Sequence, residues 1–221
     1  MLHGGFWRDA YDSSLMDELC EDLAEAGWAA WNLEYRRLGA GGGWPATFDD
    51  VAAGIDHVGS LAAPELELGT VVAIGHSAGG QLALWAAARK TPRVRVTHAV
   101  AQAGVVDLAE AARLGLSLGV VDELLAGAPA EAPDRYALAS PAALLPLGIP
   151  QLLVHGSRDE IVPAAMSRSY AEAARAAGDR VDLVLHEQLG HFEHLDPRSP
   201  AWRSVRDWLS AVTNAPRRRQ S

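Results

Sequence analysis

Apolar residues along the chain follow two spacings. Short runs with apolar centres occupy residues 71–74, 94–102, 151–155 and 181–186. Their length and β-branched content predict strands buried on both faces. Between them, apolar positions recur every three or four residues. Leu15, Leu19 and Leu23 form one such stripe, closed by Gly27, with Asp12 or Ser13 placed to cap it. A second stripe carries Val51, Ile55 and Val58, in a helix starting near Thr47. That residue stands three before Asp50, a capping-box-like arrangement. Further helices are predicted over 81–89, over 164–177 with Gly178 as the stop, and over 200–212. Residues 28–35 read as another strand of mixed character.

Strands alternating with helices predict an α/β fold, a mostly parallel sheet covered on both faces. Residues 1–214 form one domain on this reading. The Ala/Leu-rich stretch 105–146 is too long for a plain connection and predicts a helical insert over the site. Its Leu114, Leu116, Leu118, Val120, Val121, Leu124 and Leu125 could line an acyl pocket, although most read as core. Residues 215–221, with Arg217, Arg218 and Arg219 after Pro216, read as a flexible basic tail.

Composition narrows the classes. The chain has 221 residues, 49% hydrophobic, with a formal charge of −9. That charge argues against nucleic acid or an anionic membrane as partner, and no apolar run nears the roughly 20 residues of a membrane span. Cys20 is the only cysteine, so no internal disulfide or thiolate cluster can form. It lies on an apolar helix face and packs as a small hydrophobe. No signal-peptide pattern opens the chain, and the expected location is cytoplasmic. The oligomeric state is not readable.

The chemistry centres on Gly75-His76-Ser77-Ala78-Gly79-Gly80, placed between the 71–74 strand and a helix. A serine on such a turn takes a strained backbone conformation that lifts its hydroxyl from the sheet, and the flanking glycines let strand and helix approach. Serine keeps its proton at neutral pH, so it needs a base, and the base needs a group to orient it. In parallel-sheet hydrolases those partners follow in the order acid, then histidine, on loops after strands. Asp159 follows the 151–155 strand and His191 follows the 181–186 strand. Glu160 is a rival for the acid, and His186 and His194 are rivals for the base. An oxyanion hole needs donors aimed at the developing negative charge. Candidates are the amide of Ala78 and, from His3-Gly4-Gly5-Phe6, those of Gly5 and Phe6. Trp7 and His76 are candidates for substrate contact.

Metal readings fail on spacing. His186-Glu187-Gln188-Leu189-Gly190-His191 has one residue too many for H-E-x-x-H, turning the two histidines about 500° apart on a helix instead of about 400°. His191-Phe192-Glu193-His194 is one residue short of H-x-x-E-H. Neither a P-loop nor a dinucleotide fingerprint occurs, so neither a metal nor any cofactor is expected.

These residues resemble the α/β-hydrolase superfamily over nearly the whole chain. His3-Gly4-Gly5-Phe6-Trp7 is similar to the HGGxW motif of the kynurenine formamidase group and its esterase relatives. The elbow, the Glu34-Tyr35-Arg36 and Trp44-Pro45-Ala46 stretches, and the loops carrying Asp159 and His191 resemble that group as well. The resemblance implies a cofactor-free serine hydrolase of small carboxylic esters or of amides such as formamides, acting through an acyl-enzyme. It also implies about two further strands, and most of a third, ahead of His3, where this chain has only Met1-Leu2. A truncated or misassigned start is therefore expected, with unpaired ladder groups and an uncovered part of the sheet. Two other readings compete: an impaired or non-catalytic ligand-binding protein, and a peptidase related to the prolyl oligopeptidases.

Overall fold

In a computed structural model that describes residues 1–63 and 65–214, four parallel strands form the sheet in the order of the chain. They are β1 (Val72–His76), β2 (His98–Gln102), β3 (Gln151–Gly156) and β4 (Val181–His186). Register runs from Ala73 beside Ala99 through Val100 beside Leu152 to Leu153 beside Leu183. Eight α-helices accompany them among the described residues: α1 (Asp17–Glu25), α2 (Ala46–Val58), α3 (Ala78–Ala87), α4 (Leu108–Arg113), α5 (Val120–Leu125), α6 (Pro133–Ala139), α7 (Ala164–Ala176) and α8 (Pro200–Asn214). The expected α/β architecture is the one observed. The expected basic tail, 215–221, lies outside the described residues.

Alternate strand residues point to opposite faces, and each face has its own core. Ile74, Val100, Leu152 and Val154 pack with Met16, Leu19 and Leu23 before and within α1, and with Trp202, Val205 and Leu209 of α8. Cys20 packs against this cluster. On the other face Ala73, Ala99, Ala101 and Leu153 belong to one core cluster with side chains of α2, α3, α5 and α7. Small residues on that face let α3 lie close over β1 and β2. A Cβ on Gly75 would stand 2.0 Å from the Gly79 carbonyl oxygen.

Three local expectations are corrected. Asp12 caps the first helix through the Ser14 amide, but the first turn, Ser13–Met16, is a 3-10 turn ahead of α1. Thr47 forms no capping box. Its hydroxyl donates to the Arg36 carbonyl and accepts from the Gly43 amide, while Asp50 pairs with Arg36. The interaction with Arg36, outside the helix, displaces the local cap. Residues 28–35 form no strand, and among the described residues an isolated bridge from Leu33 to Leu2 is their one ladder contact.

Leu2 also bridges to Gly75, so Met1 and Leu2 lie between the 31–33 segment and β1. The Leu2 amide donates to the Ile74 carbonyl (2.8 Å), the His76 amide to the Leu2 carbonyl (3.2 Å) and the Leu33 amide to the Met1 carbonyl (3.1 Å). A cleft of about 750 Å³ opens beside this pairing, lined by Met1, Leu33, Val72, Ile74 and Leu209 among others. No helix of the described residues is long and apolar enough to cross a membrane.

The 105–146 stretch carries α4, α5 and α6, and none of its residues lines the pocket beside Ser77. It packs beside α3, where Gln81 Nε2 and Trp85 Nε1 donate to the carbonyls of Ala139 and Leu138. Val120, Val121, Leu124 and Leu125 are fully buried core, whereas Leu118 is fully exposed and Leu114 is 41% exposed.

Candidate active site

Ser77, Asp159 and His191 all lie just past the C-terminal ends of strands: β1, β3 and β4. Parallel sheets converge their functional loops on that edge. Ser77 has φ 54° and ψ −117°, a conformation costly for a residue with a Cβ. It is held there by its amide, which donates to the Gln102 carbonyl, and by its carbonyl, which accepts from Gly80, Gln81 and Val105. Gly79 must lack a side chain, since a Cβ there would stand 2.0 Å from the Leu2 carbonyl oxygen. The elbow therefore packs directly on the His3-Gly4-Gly5 loop.

His191 Nδ1 lies 2.7 Å from Asp159 Oδ2, and the Asp159 side chain has no solvent exposure. Nδ1 faces an acceptor and so carries the hydrogen, which leaves the Nε2 lone pair free to accept a proton. Burial alone would raise the Asp159 pKa. Hydrogen bonds from His155 and His191, the His191 charge and the Val162 amide outweigh it and hold the carboxyl well below its usual range. Glu160, His186 and His194 do not take these places. His186 bonds Ser204 instead, and His194 is buried without a partner for either ring nitrogen among the described residues.

Ser77 Oγ is buried and has no hydrogen-bond partner among the described residues. Ser77 and His191 nevertheless line one small pocket, about 60 Å³, together with Gly5, Phe6, His76 and Phe192. Catalytic hydrogen bonds are commonly long or unformed without substrate.

Gly5, Phe6 and Trp7 adopt three consecutive positive φ angles (105°, 54° and 56°). Among the described residues, no protein acceptor takes the amides of Gly5, Phe6 or Ala78. Trp7 is fully buried, away from the pocket, and its Nε1 donates to Gln81 Oε1 at 3.1 Å. It anchors the loop to α3. His76 does line the pocket, and its Nε2 donates to the His191 carbonyl (2.9 Å). Gly4 packs against the His76 ring, so this side chain is a strut between the two loops. Burial, and next the His191 charge, push its pKa down to about 3.

Several further residues frame the site, and none had an individual role legible in the sequence. His3 stacks on Tyr35 with ring centroids 4.2 Å apart, and its Nε2 lies 3.0 Å from Glu34 Oε1. Gln102 Nε2 donates to the His194 carbonyl (3.0 Å) and ties the histidine loop to β2. His155 was hidden as the end of an apolar strand. A polar side chain in a run buried at every position was the available hint. No group of three or more candidate metal ligands occurs among the described residues.

The profile of the BD-FAE family, esterase-like α/β hydrolases, matches residues 1–173, and the chain belongs to that family. Among solved structures it is similar to an acetyl ester-xyloside bifunctional hydrolase of Caldicellulosiruptor lactoaceticus: TM-score 0.81, 22% identity, covering 96% of this chain and 81% of that one. It is also similar to a thermophilic esterase of Thermogutta terrifontis: TM-score 0.69, 22% identity, covering 97% of this chain and 81% of the other. These likenesses establish the α/β-hydrolase fold. A curated relative in Methylorubrum extorquens, provisionally named carboxymethylenebutenolidase, is 33% identical over 71 residues; the match spans 28% of this chain and 24% of the relative.

Proposed function

We propose that this BD-FAE family member is a serine esterase for small acyl esters, with Ser77 as nucleophile, His191 as base and Asp159 as the acid that orients it. The observation that carries the reading is the buried 2.7 Å contact of Asp159 with His191, beside a pocket that also holds the strained Ser77. Ser77 Oγ attacks the ester carbonyl and His191 Nε2 takes its proton. Asp159 stabilises the imidazolium that results. His191 then returns the proton to the departing alcohol, and water hydrolyses the acyl-enzyme by the same groups. The unengaged amides of Gly5, Phe6 and Ala78 serve as oxyanion donors, and the N-terminus of α3 adds its dipole.

Pocket size supports a short acyl group. The pocket beside Ser77 is small, near 60 Å³, which suits a short acyl group such as acetyl or propionyl. The acetyl ester named for the Caldicellulosiruptor structure is of that size. A formyl group is smaller still, so small formamides belong in the same assay. A His76 contact to substrate remains part of the proposal, since that ring lines the pocket.

Turnover of p-nitrophenyl acetate, butyrate and octanoate, beside a formanilide, tests the reading. Acetate should be the best ester and octanoate the poorest, and His191→Ala should lower kcat at least a thousandfold, on the order of triad losses. Equal turnover by His191→Ala would refute it.

A further inference from the structure

Asp159 is gripped from behind as well as from the front. Its Oδ1 accepts from the amides of Ile161 (2.9 Å) and Val162 (2.8 Å). Its Oδ2 faces two imidazoles: His191 Nδ1 at 2.7 Å and His155 Nε2 at 3.1 Å. His155 is fully buried in β3. Its Nε2 also lies 2.9 Å from the Val162 carbonyl oxygen. Both neighbours of Nε2 are acceptors, so that nitrogen carries a hydrogen. The other ring nitrogen, Nδ1, lies 2.7 Å from Ser167 Oγ of α7, itself fully buried. With the hydrogen on Nε2, Nδ1 accepts from the Ser167 hydroxyl.

A carboxylate rotates in a broad torsional well. Without His155, the only side chain left on Oδ2 is the base that Asp159 is supposed to orient. The two amides hold Oδ1. A donor on Oδ2 that takes no part in proton transfer narrows the freedom left to the oxygen that meets His191. We propose that His155, oriented by Ser167, is a positioning residue that fixes the Asp159 carboxylate so that Oδ2 meets His191 Nδ1. This rests on the reading of Asp159 and His191 as the orienting acid and base.

The role separates from mere space-filling. Leucine fills much of the same volume and donates nothing, whereas the glutamine amide can reach both Asp159 and Val162 as a donor. His155→Leu should lower kcat on acetate about ten- to a hundredfold, the scale of a slightly misplaced catalytic group, with KM within about twofold. His155→Gln should recover kcat to within about fivefold of wild type. Asp159→Ala serves as the reference and should lose still more. Full kcat in His155→Leu beside a dead Asp159→Ala would overturn this proposal and leave the triad standing. Full kcat in Asp159→Ala would overturn both. Glutamine as poor as leucine would also overturn it. Should His155→Leu not fold, ¹⁵N NMR of histidine-labelled wild type decides: hydrogen on Nε2 of His155 supports the proposal, and an Nδ1–H tautomer overturns it.

Discussion

The Tyr35 hydroxyl donates to the His3 carbonyl at 2.8 Å while the two rings stack 4.2 Å apart and nearly parallel. One aromatic residue thus fixes both the backbone and the side chain at the start of the loop that carries Gly5 and Phe6. Burial pushes the Tyr35 phenol up, so it stays a donor across the working pH range.

Removing that donor leaves a buried carbonyl unpaired. Tyr35→Phe keeps the ring, and it is expected to cost about 1–3 kcal/mol in urea denaturation. It should also lower kcat more than it raises KM, because the loop places proposed oxyanion donors and not a binding surface. A variant as stable and as fast as wild type would contradict this role.

Gly79 and Gly69 make a matched pair. A Cβ on Gly79 meets the Leu2 carbonyl at 2.0 Å, whereas one on Gly69 meets nothing within 4 Å. Gly79→Ala must push the elbow away from the His3-Gly4-Gly5 loop, and it is expected to destabilise by more than about 3 kcal/mol, above the usual range for point changes. Gly69→Ala should stay within about 0.5 kcal/mol of wild type. Thermal melts of the two variants compare them directly.

Protonation of His76 opposes folding. Its folded value is about 3, against an ordinary histidine value of about 6.5. A histidine depressed in the fold contributes in full above the unfolded value, and the contribution is lost as pH falls from 6.5 toward 3. Between about pH 8 and pH 5 this one group should remove roughly 2 kcal/mol of stability. Denaturation of wild type and His76→Asn at both pH values should show the variant losing about 2 kcal/mol less on acidification. The same loss in both would contradict a buried, neutral His76.

The sequence was most readable where chemistry follows a strand. Ser77, Asp159 and His191 each follow an apolar run within five residues. Run length with β-branched content located the four strands, although β2 begins only at His98 and residues 28–35 form no strand. Long-range partners were not readable. Trp7 looked like a substrate contact because its motif borders the site, but its indole bonds Gln81, 74 positions away. Thr47 and Asp50 fitted a local cap, and Arg36 took both. The insert was expected from its length alone, and its Val120, Val121, Leu124 and Leu125 are buried in the core, as most of its apolar residues were read. His155 read as strand because its partners, Ser167 and Val162, only meet it once β3 and α7 pack together.

Covalent labelling decides whether Ser77 is the nucleophile. A fluorophosphonate should modify the protein once, with the adduct mapping to the peptide that contains Ser77 and absent from Ser77→Ala. Labelling of Ser77→Ala at the wild-type rate, or an adduct on another residue, would rule out Ser77 as the nucleophile.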